Sequence, residues 1–120
     1  MPHIQIRGEI SMERMWESIG PLKQLKPDPI IIDPPYMLYN RKTLLFQTSV
    51  TEHGRSQKFY LIVSARDEGL TVRVDPVTDP VKSNGVKRAV GFLAAHIKSM
   101  FPGTEYGVTN IPDFVMKDLP

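Results

Sequence analysis

The 120-residue chain has no cysteine. That excludes disulfides, thiolate metal sites and thiol nucleophiles, and it suits a reducing compartment, so a cytoplasmic location is expected. Histidine is nearly as scarce. None of His3, His53 and His96 has a metal-type partner at the two-, three- or four-residue spacings that zinc and related sites use. There is no Gly-x-Ser-x-Gly elbow, no phosphate-cradling glycine loop and no paired His-Glu helix. No metal and no cofactor is therefore expected, and an enzyme is the less favoured class, although triads assembled from distant residues leave no local motif. No apolar run approaches the length of a bilayer span, and the first residues alternate polar and apolar as a signal peptide does not. The net charge of +2 is too small to indicate a nucleic-acid partner by itself. The last absence is local: no Asp or Glu lies between Val81 and Phe101.

That acid-free stretch is the long helical pattern of the chain. Val86, Ala89, Val90, Leu93, Ile97 and Met100 recur at three- and four-residue spacings, which predicts a helix over Ser83–Phe101 with one apolar face. Either Ser83 or Asn84 can cap its start, and Pro102-Gly103 ends it. At 1.5 Å per residue it would be roughly 27 Å long, enough to cross four strands. Its outward arc holds Lys87, Arg88, Gly91, Ala95, Lys98 and Ser99, a purely basic face with two small residues at its centre. Glycine in a helix interior costs about 1 kcal/mol relative to alanine, so Gly91 implies a packing reason.

Alternation of apolar and polar residues predicts strands in the rest of the chain. His3–Ile10 reads as a half-buried strand, and Ser11 caps a short helix with Met12, Met15, Trp16 and Ile19 on one stripe. Gly20-Pro21 stops that helix, and Leu22–Leu25 reads as one more turn. Ile30–Ile32 opens a strand interrupted by Asp33-Pro34-Pro35, a place for an edge strand, two short pieces or a cis peptide. Thr43–Glu52, Gln57–Ala65 and Leu70–Val74, joined by short polar turns, make an antiparallel meander. A last strand over Thr104–Asn110 is compatible with the pattern, and residues 111–120 read as a tail without period, either packed on the domain or partly mobile. The expected fold is therefore α+β, a single domain over residues 1–120 in the order β-α-β-β-β-β-α. A curved antiparallel sheet of about five strands would be covered by the long C-terminal helix. In element order alone this is similar to the helix-grip and TATA-binding-protein-like arrangements, a likeness that carries no function.

Three functional readings follow. The first is a non-catalytic binding module that meets a protein or nucleic acid through the basic helix face of Lys87, Arg88, Gly91 and Lys98. The bland alternative is a solvated face whose cations suit the helix C-terminus. The second is a small-ligand site or enzyme between helix and sheet, with His96, Tyr60 and Tyr39 as its polar groups. The third is self-association as a homo-oligomer, through an open sheet edge or the Gly91–Ala95 strip. Two further features are weighed down by simpler explanations. The Asp-Pro pairs at 28, 33, 75 and 79 can gather carboxylates for a hard cation, but Asp-Pro is also ordinary turn chemistry. Tyr36, Tyr39 and Tyr60 with Arg41, Lys42, Arg55 and Arg73 can form a face for stacking bases. Ile62 shares the face of Tyr60, however, and the Trp16 helix needs somewhere to dock, so docking there is the expected use of that surface.

Overall fold

Short polar turns and strict alternation make the meander the first piece to form on paper, and the computed structural model, which describes residues 1–117 and Leu119, contains it. Strands β5 (Thr43–Glu52) and β6 (Arg55–Arg66) pair antiparallel from Thr43↔Ser64 to Glu52↔Arg55. His53 and Gly54 join them at φ 52° and 76°, the left-handed pair that matches a hairpin turn to strand twist. β7 (Gly69–Val74) adds to β6 from Arg66↔Gly69 to Leu61↔Val74. The first strand, β1 (His3–Arg7), pairs with β7, and the last, β8 (Glu105–Thr109), pairs with β1. On the other side β5 carries two short strands, β3 (Ile30–Ile32) and β4 (Tyr36–Met37), and β2 (Leu22–Gln24) pairs with β3.

The result is one α+β domain with a strongly curled antiparallel sheet of eight strands in the order β2-β3-β5-β6-β7-β1-β8, with β4 beside β5. About five strands were expected. The difference lies in segments too short to display a period. Leu22–Gln24, expected to extend a helix, instead pairs residue for residue with Ile32–Ile30. Asp33-Pro34-Pro35 divides the next segment into two pieces, and the cis peptide lies at Lys26-Pro27 instead.

Two helices cover the sheet. Helix α1 (Met12–Ser18) is capped by the Ser11 hydroxyl, which accepts from the Arg14 N–H at 3.1 Å. Helix α2 (Asn84–Met100) is capped by Ser83, whose hydroxyl accepts from the Val86 N–H at 3.3 Å. The Glu52 carboxylate, at the end of β5, accepts from the Gly85 N–H at 3.0 Å and from the Ser83 hydroxyl. A negative group thus sits where α2 leaves its first backbone donors unpaired.

Both helices lie on the same side. The core is a single cluster in which Met15 and Ile19 of α1 and Val86, Val90, Leu93 and Ile97 of α2 meet Ile4, Phe46, Leu61 and Val72 of the sheet. Arg14 of α1 lies over the Phe101 ring, 5.6 Å from its centre, at the end of α2. The expectation that α1 docks on the Tyr60–Ile62 face is therefore overturned. Its buried pair, Met15 and Ile19, joins the core on the concave side, and Trp16 is left 43% exposed.

Most of α2 is enclosed. The sheet wraps its apolar side, and residues 111–116 run along the opposite side, with Ile111 buried and Phe114, Val115 and Met116 packed against the core. Gly91 makes this possible. A Cβ there would lie 2.1 Å from the Phe114 carbonyl oxygen, so no side chain fits unless the C-terminal segment shifts. Replacement of Gly91 by Ala sets about 1 kcal/mol of helix propensity against that contact. The contact is with backbone, which cannot swing aside, so Gly91→Ala is expected to lower the urea midpoint and to speed proteolytic cutting after Asn110. A raised midpoint with unchanged cutting would show that the segment is not held there.

Candidate functional site

The residues expected to form a binding face on α2 are engaged within the chain. Gly91 and Ala95 are buried, Gly91 beneath the Phe114 carbonyl, while Ala95 borders a surface cleft of about 280 Å3 with Lys98, Ser99 and Tyr106. Lys87 lies over the Phe114 ring, 5.8 Å from its centre, and Lys98 over the Tyr106 ring at 5.5 Å. Contacts of this kind are worth about 0.5–1 kcal/mol at exposed sites. The Tyr106 hydroxyl donates to the Met116 carbonyl at 2.6 Å, and burial pushes its pKa up. Arg88 pairs with Asp28 at 2.7 Å, tying α2 to the loop between β2 and β3. The acid-free face serves the C-terminal segment, β8 and that loop.

His96, Tyr60 and Tyr39 do not converge. His96 sits on α2 with its ring edge-on to Phe92, centroids 4.8 Å apart. Tyr60 points to the opposite side of the sheet, and Tyr39 is fully exposed in the turn after β4. Surface clefts of about 550, 330, 320, 280 and 260 Å3 are present, and none is lined by the residues that pack α2 on the sheet. Three of the four Asp-Pro aspartates have side-chain partners within the chain, and Asp33 stands exposed beside Gln47. Asp28 holds Arg88, Asp79 pairs with Lys82, and Asp75 accepts from the Val77 N–H at 3.1 Å. No group of three His, Asp or Glu side chains suited to a metal ion occurs among the described residues.

What remains open is the convex side of the sheet. Strand register places its side chains in rows. Tyr36, Leu45, Ile62, Arg73 and His3 are successive cross-strand neighbours over β4, β5, β6, β7 and β1. On β6, Tyr60 and Lys58 continue along the same face, with Gln47 and Ser49 as their partners on β5. Neither helix covers this side. Tyr60 is half-buried and its backbone is pinned: its N–H donates to the Thr78 hydroxyl at 3.2 Å, and its carbonyl accepts from the Asp75 N–H at 2.9 Å. Tyr36 is 61% exposed. Ile62 is only 9% exposed, whereas Ile31, opposite Ser49 on the same face, is 41% exposed.

Charge on this face is mixed. Its strand positions carry Arg7, Lys23, Lys58, Arg66 and Arg73, and the same register places three carboxylates there: Glu105 opposite Arg7, Asp33 opposite Gln47 and Asp75 beside Tyr60. None of these cations belongs to the ion pairs of the described residues, which are Arg41–Glu13, Lys82–Asp79 and Arg88–Asp28. The Arg73 Nε is shielded and has no hydrogen-bond partner. Asp67 and Glu68 flank the face in the β6–β7 turn, where they line the 550 Å3 cleft with Gln5, Arg66 and Thr71. Lys58 and Arg73 stand near the centre, with Asp33 and Asp75 at either side of the Tyr60 row between them.

A second exposed group escaped the sequence pattern. Trp16, Met37, Leu38, Tyr39 and Arg41 border the 260 Å3 cleft. Trp16 had been assigned to the stripe that α1 buries, and nothing in its spacing marks it as the residue left out.

Compared with models of protein families, with curated proteins and with solved structures, the chain matches none. No helix among the described residues is long and apolar enough to cross a membrane.

Burial lowers the pKa of His96 from its ordinary 6.5. The unfolded chain then binds a proton at His96 more readily than the folded chain. Stability from this group is present above pH 6.5 and lost as pH falls through the lower folded value. Between pH 7.5 and pH 5.5 the urea midpoint of His96→Gln is expected to fall less than that of the wild type. Parallel pH profiles would remove His96 from the effect.

Proposed function

We propose that the protein is a non-catalytic binding module for an anionic macromolecule. Its partner meets the uncovered convex face of the sheet, centred on Lys58, Tyr60, Ile62 and Arg73. The observation that carries this reading is the absence of either helix from that face, together with Lys58 and Arg73 on it outside the ion pairs of the described residues. A cation outside an ion pair keeps part of its field for an incoming anion, and several on one face raise the encounter rate with a polyanion.

The helix face of Lys87, Arg88, Gly91 and Lys98 gives less support to the same partner class, because its side chains already contact Phe114, Asp28 and Tyr106. A small-ligand site built on His96, Tyr60 and Tyr39 lacks the convergence that it needs.

Heparin serves as a sequence-free polyanion to test the choice of surface. Lys58→Ala/Arg73→Ala is expected to elute at lower salt than the wild type, with the slope of log affinity against log salt reduced by about one per cation removed. Lys87→Ala/Lys98→Ala is expected to elute with the wild type. The reverse pattern would return the surface to α2, and failure of the wild type to bind would remove the polyanion reading.

A further inference from the structure

We infer that Asn84-Gly85 is a site of spontaneous deamidation, gated by the carboxylate of Glu52. It is the one Asn-Gly pair in the chain, the other asparagines being followed by Arg41 and Ile111. After asparagine, a glycine offers no side chain to hinder its backbone nitrogen as it approaches the asparagine amide carbon. The Gly85 nitrogen gives up its proton to solvent and bonds to Asn84 Cγ. The Cγ–Nδ2 bond breaks, and the departing nitrogen takes a proton back from solvent and leaves as ammonia. Water then opens the succinimide ring at either carbonyl, leaving aspartate or isoaspartate at position 84.

The place of this pair in the fold exposes it in one respect and guards it in another. Asn84 and Gly85 are the first two residues of α2, so the Gly85 N–H is among those for which the helix has no carbonyl. Glu52 takes it instead. Its carboxylate accepts from the Gly85 N–H at 3.0 Å and from the Ser83 hydroxyl. A negative acceptor opposes loss of the amide proton, and ring closure has to turn the nitrogen out of that bond toward Cγ. A Cβ on Gly85 would lie 2.5 Å from Glu52 Cδ and 2.6 Å from Val50 Cγ1. The residue that admits the carboxylate is thus the one that makes Asn84 labile.

Asn84 is exposed, and a surface cleft of about 330 Å3 lined by Glu52, His53 and Ser83 brings water to the contact. The other asparagines are held at both ends of their amides. Asn40 accepts from the Lys42 N–H at 2.9 Å and donates to the Thr43 hydroxyl at 3.4 Å. Asn110 accepts from the His3 N–H at 2.9 Å and donates to the Met1 carbonyl at 2.8 Å. Conversion at Asn84 is also one-way. Isoaspartate adds a backbone carbon between Ser83 and Gly85, the two groups that Glu52 holds at once, so the start of α2 cannot regain the same contact with β5.

Incubation in mildly alkaline buffer, followed by peptide mapping with mass spectrometry and separation of aspartyl from isoaspartyl peptides, tests the site and its gate. The folded wild type is expected to convert Asn84 at least tenfold more slowly than the same chain in urea, and Asn40 and Asn110 more slowly still. Glu52→Ala should speed conversion in the folded protein about tenfold, as loss of one charge-assisted hydrogen bond does. Glu52→Gln keeps an acceptor without the charge and should fall between. Gly91→Ala, which acts on α2 away from this turn, should convert at the wild-type rate. If Glu52→Ala does not fold, Glu52→Gln decides: a rate above that of the wild type supports the gate, and an equal rate overturns it. Acceleration by Gly91→Ala as large as that by the Glu52 variants would also overturn it, placing the reaction in the globally unfolded chain. Conversion at Asn40 or Asn110 as fast as at Asn84 would overturn the choice of site.

Discussion

The contact between Gly91 and the Phe114 carbonyl is the constraint on which the rest of the structure depends. A sheet curled around one helix leaves the outer side of that helix open, and a helix of this length with ten buried residues cannot leave it so. The C-terminal segment closes it, but only where α2 presents no side chain. Lys87 and Lys98 then become walls of the contact, over Phe114 and Tyr106, instead of a charged face in water. Placing glycine in a helix costs about 1 kcal/mol, and the burial of residues 111–116 is what offsets it.

That closure redistributes function. With both helices and the C-terminal segment gathered on the concave side, the apolar faces of the helices are covered apart from Trp16, and the convex side of the sheet is left to solvent. Antiparallel sheets tolerate one wet face when its outward positions are polar. Here they are mostly polar and of both charges, with Tyr36 and Tyr60 and the apolar Ile31, Leu45 and Ile62 among them. Arg88 and Arg73 make the contrast. Arg88 meets Asp28 at 2.7 Å and holds a loop, whereas Arg73 belongs to no ion pair of the described residues; the Nε of each is shielded and without a hydrogen-bond partner.

Much of the fold was legible in the residues, and the reasons are local. The meander was readable because β5, β6 and β7 are long enough to show a period of two, and α2 because six apolar positions repeat at helical spacing. Leu22–Gln24 was not, since three residues carry no period and only pairing with Ile30–Ile32 defines them as a strand. The side on which α1 docks was not legible either: its stripe contains Trp16 as well as Met15, and spacing does not say which face of a sheet receives it. That one choice hid the candidate site, because the convex tyrosines and cations look like a helix bed until the helix is seen elsewhere. Gly91 gave a true signal of close approach, but the aperiodic sequence around Phe114 gave no hint of what approaches.

The central claim is that the convex sheet face, and not α2, meets the partner. Backbone amide chemical shifts recorded during titration with a short heparin oligosaccharide test it most directly, since they map the surface without any substitution. Perturbations are predicted to concentrate on Leu45, Lys58, Tyr60, Ile62 and Arg73 while the amides of α2 stay in place. Perturbations concentrated on Lys87, Gly91 and Lys98, with the convex strands unmoved, would contradict it.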